Sequence, residues 1–166
     1  MNRGKAGIRS VVILTVFLIT QAPLLFAQQE PGRLYKFRLE NAPFPEAGRA
    51  NGYNGLPYYG HYDDNTVAVY VPPGYKDNGS VDFVFYFHGW YNTVDGVLSG
   101  FRMLDQFLEA RKNAILVIPE GPKNAADSYY GKLEQENGFL NLMIEIMDSL
   151  KGRKEISETI PGKVVI

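Results

Sequence analysis

His88, Gly89 and Trp90 close an apolar run that begins at Asp82 and reads Phe-Val-Phe-Tyr-Phe. Glycine has no side chain to hold a ligand off, so a strand ending this way can bring backbone N–H groups close to a reacting atom. Donors so placed stabilise the oxygen that becomes negative when a nucleophile attacks a carbonyl. The nucleophile itself is harder to find. No G-x-S-x-G occurs, and the histidines are His61 and His88. Ser99 lies in Gly96-Val-Leu-Ser-Gly100, where the spacing is wrong for a strand-to-helix elbow and the pattern is helical. Ser80 and Ser128 fall in turns with no histidine at hand.

Other chemistry is thinly supported. With no cysteine there is no disulfide, no thiolate and no cysteine metal site. Asp63-Asp64-Asn65 sets three oxygen-bearing side chains in a row, whereas calcium takes roughly 6–8 oxygen ligands, so neither a metal nor a cofactor is expected. Glu120, Asp127, Glu134 and Glu136 follow an apolar strand and admit a paired-carboxylate glycosidase. Acids ahead of a helix also complement its dipole, which accounts for Glu134 and Glu136 without function. Tyr53, Tyr58, Tyr59, Tyr62 and His61 form either an aromatic rim for a sugar or aryl group or a tyrosine-rich surface loop.

The elements that must position these residues follow from periodicity. Leu34–Leu39 alternates as a half-buried strand, and Thr66–Val71 is a second strand stopped by Pro72-Pro73-Gly74. The stretch 41–64, rich in Pro, Gly, Asn and Tyr, predicts loop. Phe83–Phe87 is continuously apolar, as a strand buried on both faces would be. Thr93 predicts an N-cap for one helix carrying Val94, Val97, Leu98, Phe101, Leu104 and Leu108 and ending near Lys112-Asn113. Ala114–Ile118 is a further fully apolar strand. A second helix, with Asn137 as its cap, carries Phe139, Met143, Ile146, Met147 and Leu150, a face widened by Leu140, Leu142 and Ile144. Lys163–Ile166 begins another apolar strand. Hairpin-like strands followed by βαβ units predict an α/β fold with a mixed, mostly parallel sheet.

The N-terminus is a separate unit. Arg3, Lys5 and Arg9 precede the apolar stretch Val11–Ile19, and Pro23 precedes Ala27, the layout of a signal peptide over residues 1–27. An N-terminal membrane anchor is the alternative, although the apolar run is short of the roughly 20 residues that span a bilayer. Cleavage removes three of the 17 cations and none of the 18 anions, leaving a net charge of −4. No basic run points to nucleic acid. An exported chain without disulfides suits a periplasmic or secreted location, with no stable membrane span once the leader is gone. The remainder divides into a strand and Tyr/Gly-rich loop over 28–65 and an α/β unit over 66–166.

Four segments in order, Tyr70-Val-Pro-Pro-Gly-Tyr75, Phe87-His-Gly-Trp90, Ile115-Leu-Val-Ile-Pro119 and Lys163-Val-Val-Ile166, resemble the α/β-hydrolase superfamily. The likeness is to secreted esterases of the feruloyl-esterase and polyhydroxybutyrate-depolymerase type, and it covers the N-terminal half of their fold. It implies an incomplete three-layer α/β/α sandwich and hydrolysis of a small-molecule or polymer carboxylic ester by a serine, histidine and acid triad. It also implies that the Trp90 backbone N–H is an oxyanion donor, that His88 and Gly89 shape the oxyanion loop, and that Tyr91 and Asp127 lie at the substrate. In the family order the nucleophile follows the strand beginning near Lys163. The triad is therefore expected beyond Ile166, and these 166 residues alone are expected to be inactive. The alternative is a non-catalytic exported module that binds a carbohydrate or aryl ligand.

Overall fold

The computed structural model describes residues 31–157 and 160–166; the leader expected over 1–27 lies outside them. Five strands form one mixed sheet. They are β1 (Arg33–Arg38), β2 (Thr66–Val71), β3 (Val81–Phe85), β4 (Ile115–Pro119) and β5 (Pro161–Val165), in the spatial order β1-β2-β4-β3-β5. β1 and β2 pair antiparallel, Arg38 opposite Thr66, and β2 runs antiparallel to β4. β3 runs parallel to both its neighbours, β4 and β5. The sheet is mixed, as the order of elements predicts, but two of its four pairings are antiparallel, so it is not mostly parallel.

Alternation along the strands divides the core in two. Val67, Val69 and Val71 of β2 join Phe83, Phe85, Ile115 and Val117 in one cluster with α3 (Gly138–Gly152). Ala68 and Tyr70 of the same strand join Leu116 and Ile118 in another, with α1 (Val94–Gly100) and α2 (Met103–Glu109). Successive strand residues point to opposite faces, so one strand serves both clusters. Burying one such aliphatic side chain is worth roughly 1.5–3 kcal/mol, and these clusters hold the layers together.

Several expectations change. The single helix expected after Thr93 is two. Gly100, a poor helix residue, ends α1, and Arg102 takes a left-handed conformation at φ +50 before α2 starts. The Gln106 side-chain amide donates to the Phe101 carbonyl at 2.6 Å, satisfying the end of α1. On α3 the buried stripe is Leu142, Met143, Ile146, Met147 and Leu150, while Leu140 and Ile144 are exposed and do not widen it. Phe139 is half-buried, its ring 4.7 Å from that of Phe85. Asn137 precedes α3 in a left-handed conformation at φ +59 but makes no side-chain cap. β3 alternates between buried and half-buried residues rather than being covered throughout, and all of β5 is exposed. No helix among the described residues is long and apolar enough to cross a membrane.

Gly138 at the start of α3 is sterically required. A Cβ there would overlap the Lys132 carbonyl oxygen and press on Leu133. Gly138→Ala is expected to destabilise the chain by about 1–3 kcal/mol. Urea unfolding checks this, and an unchanged midpoint would contradict the tight approach of α3 to the loop before it.

Candidate functional site

The site lies where the loops after β3 and β4 meet, at the C-terminal ends of adjacent parallel strands. The chain leaves β3 toward β4 and then crosses to β5 on the other side of β3. Open α/β sheets bind ligands outside the carboxyl ends of their strands where the order reverses in this way.

His88 follows β3 and is buried, as is Glu120 immediately after β4, with side chains 1% and 5% exposed. His88 Nε2 stands 2.8 Å from Glu120 Oε1 and 2.9 Å from the Gly121 nitrogen. Its Nδ1 is 3.1 Å from the Gly89 carbonyl oxygen. Nε2 either donates to Glu120 or accepts from Gly121, because one nitrogen cannot do both. Glu120 serves α1 as well. Both its oxygens accept the Val94 N–H at 3.2 Å, satisfying a donor in the first turn of that helix. The Thr93 hydroxyl caps the same turn by accepting the Gly96 N–H at 3.0 Å, as its position predicts.

The remaining loop is tied to the segment after β4. Tyr130 donates its hydroxyl to the His88 carbonyl at 2.9 Å. Burial pushes that phenol well above its usual range, and the Glu120 charge adds to the shift. The Tyr91 N–H donates to the Ala125 carbonyl and the Asn124 N–H to the Asn92 carbonyl, both at 3.0 Å. Tyr91 reaches this geometry in a left-handed conformation at φ +54, uncommon for a large residue. Gly121 packs where a Cβ would press on the Tyr130 and His88 rings. A Cβ at Gly89, by contrast, would meet no atom within 4 Å, so the space beside the loop is open.

Several donors of this loop are left over, the N–H groups of His88, Gly89 and Asn92 as well as that of Trp90. The Trp90 N–H makes no hydrogen bond among the described residues, whereas that of Tyr91 is engaged. The expected donor, Trp90, is therefore free to bond a ligand, and the Tyr91 N–H beside it is not. The Trp90 and Tyr91 side chains are both exposed, at 60% and 68%.

Asp127 is held by protein groups. It accepts from Arg49 Nε and the Tyr62 hydroxyl, each at 3.1 Å, and from the Tyr129 N–H at 3.0 Å. Arg49 stands close to the rings of Tyr53 and Tyr129, 4.1 and 4.2 Å from their centroids. Burial and the bond to Asp127 push the Tyr62 phenol up to about 12. This knot fastens the loop before β2 to the loop after β4. Tyr62 is fully buried, and His61 is tied by Nδ1 to the Lys123 carbonyl at 2.6 Å, which leaves Tyr53 and Tyr59 as the exposed tyrosines of that loop.

The other candidates are dispersed. Glu134 accepts the Tyr130 N–H at 2.8 Å, so Glu120, Asp127 and Glu134 each serve a different partner. The Ser99 hydroxyl donates to the Asp95 carbonyl, and no serine bonds to either histidine among the described residues. Asp64 accepts from Arg38, Lys123 and the Thr66 hydroxyl and N–H, which crowds its oxygens with donors rather than leaving them for an ion. No group of three or more His, Asp or Glu that could hold a metal occurs among the described residues.

Asp64 also sets a pH dependence. Desolvation would raise its carboxyl, but the hydrogen bonds from Thr66 and Lys123 outweigh it and hold the group below its ordinary value. A lowered folded pKa means that the stabilisation is present above the ordinary carboxyl pKa of about 4 and is lost as pH falls through the lower value. Asp64→Asn is expected to flatten the acid limb of the stability curve, read by thermal melts between about pH 2 and 6. Parallel curves for the two proteins would contradict this.

Comparison with protein-family models, curated proteins and solved structures returned no match.

Proposed function

We propose that this chain forms the oxyanion-loop half of an exported serine ester hydrolase of the α/β-hydrolase type. The observation that carries the reading is the unpartnered Trp90 N–H, fixed at the C-terminal end of β3 beside an open space. Three features support it. The apolar clusters on the two sheet faces, one with α3 and one with α1 and α2, agree with a three-layer arrangement. β5 lies parallel to β3, so a residue on a turn following β5 would emerge beside the His88–Trp90 loop. The leader-like residues 1–27 agree with export to the periplasm or the medium.

The chemistry follows from the placement. A serine hydroxyl attacks the ester carbonyl, its proton passes to a histidine, and the carbonyl oxygen takes up the negative charge. The Trp90 N–H donates to that oxygen. His88 and Glu120 touch no reacting atom in this scheme; they hold the loop at the angle that presents the donor. The nucleophile, its base and its acid are not among Ser80, Ser99, Ser128, His61 or His88 in this reading.

The test is hydrolysis of p-nitrophenyl butyrate by the full-length protein. Saturable turnover blocked by phenylmethylsulfonyl fluoride is expected. A product that turns over no ester yet binds an oligosaccharide would favour the second reading, a non-catalytic module. The exposure of Trp90 and Tyr91 at the same loop is what recommends that alternative.

A further inference from the structure

The end of the sheet opposite His88 exposes more cations than acids among the described residues. Three turns meet there: the one after β2, the one before β4, and the one between α3 and β5. They expose six cations, Lys76, Arg111, Lys112, Lys151, Arg153 and Lys154. None of the six forms an ion pair among the described residues, although the acids Asp77 and Glu155 share a hollow with Lys151 and Lys154 and leave the cations in the majority.

These turns are fastened to one another. Asn113 Oδ1 accepts the Lys76 N–H and its amide donates to the Lys76 carbonyl, each at 2.8 Å, locking the first two turns together. The Ser157 hydroxyl donates to Asp77 at 2.7 Å, joining the third turn to the first. The Arg153 guanidinium stands 5.6 Å from the Tyr35 ring. Between Lys76 and Arg111-Lys112 runs a groove of about 390 Å³ with Pro72, Pro73, Phe107 and Leu108 in its walls. Leu108 is exposed. At the His88 end the exposed acids Asp63, Glu134 and Glu136 lie on the loops, and the exposed Arg38 there is paired with Asp64.

We propose that this basic pole docks the protein on a bilayer surface rich in anionic phospholipid, with the His88 end turned away. Cations near such a surface are drawn to it over about a Debye length, while the acidic loops at the far end are repelled, so the charge separation fixes an orientation. The apolar groove wall selects among anions. It offers contact to the glycerol and upper acyl part of a lipid whose phosphate meets the cations, a feature that a wholly hydrophilic polyanion does not require.

The test uses the full chain and sedimentation with vesicles of phosphatidylcholine alone or of an equimolar mixture with phosphatidylglycerol. Binding to the mixed vesicles, weakened by added salt, and little binding to phosphatidylcholine are expected. The comparison protein carries Lys112→Glu and Lys154→Glu, one change in each cluster. Both retain the cationic, apolar N-terminal stretch, so the difference between them reports the pole. The double variant is expected to bind at least about 25-fold more weakly, since each surface cation counts for about fivefold. If it fails to fold, Arg111→Gln with Lys151→Gln supplies the same comparison. Equal binding of parent and variant would overturn the proposal. So would binding to soluble dextran sulfate with none to the mixed vesicles, which would make the pole a polyanion site.

Discussion

Glu120→Ala is expected to lower the stability of the chain by about 2–4 kcal/mol, because it strips hydrogen-bond partners from more than one buried group. The carboxylate is 5% exposed and serves two buried groups. Without it His88 Nε2 keeps only the Gly121 N–H, and the Val94 N–H at the start of α1 loses its acceptor. A buried donor left unsatisfied costs about 1–3 kcal/mol by itself. Glu120→Gln keeps an oxygen for Val94 and should cost less than half as much. Urea unfolding followed by circular dichroism measures the loss. Trp90, the one tryptophan in the chain, reports by its fluorescence whether the loop loosens first. A loss under about 1 kcal/mol for Glu120→Ala would mean that the pair contributes little to the loop.

The second large effect concerns the donor. In the full-length protein, Trp90→Pro removes the backbone N–H and is expected to lower kcat for p-nitrophenyl butyrate by about 100- to 1000-fold. Trp90→Ala keeps the N–H and removes only the exposed ring, so its kcat should fall less than about tenfold. The two variants separate backbone from side chain. Equal, large losses for both would shift the role to the indole ring and favour a binding platform.

Much of the scaffold is legible in the residues. Alternation marks β1, Pro72-Pro73-Gly74 marks the end of β2, continuous apolar runs mark β3 and β4, and Thr93 caps α1 as its position predicts. The loop carrying His88, Gly89 and Trp90 is legible too, because an apolar strand that stops at His-Gly must end at a sheet edge. What holds the loop is not. Glu120 lies 32 residues from His88, and nothing in its neighbours distinguishes it from an acid placed for a helix dipole. The available signal is topological: residues that each follow an apolar strand of one βαβ unit emerge side by side. The break between α1 and α2 escapes periodicity because Leu104 and Leu108 continue the spacing across it; Gly100 is its one local mark. The pairing of Asp127 with Arg49 escapes the sequence because Arg49 belongs to a loop with no regular pattern.

The most direct measurement is to treat the full-length protein with a fluorophosphonate, which forms a bond to an activated serine, and to map the modified residue by mass spectrometry. A single modified serine on the turn that follows β5 is predicted, with labelling lost under prior phenylmethylsulfonyl fluoride. No labelling, or labelling at Ser80, Ser99 or Ser128, would contradict the assignment of this chain to a serine ester hydrolase.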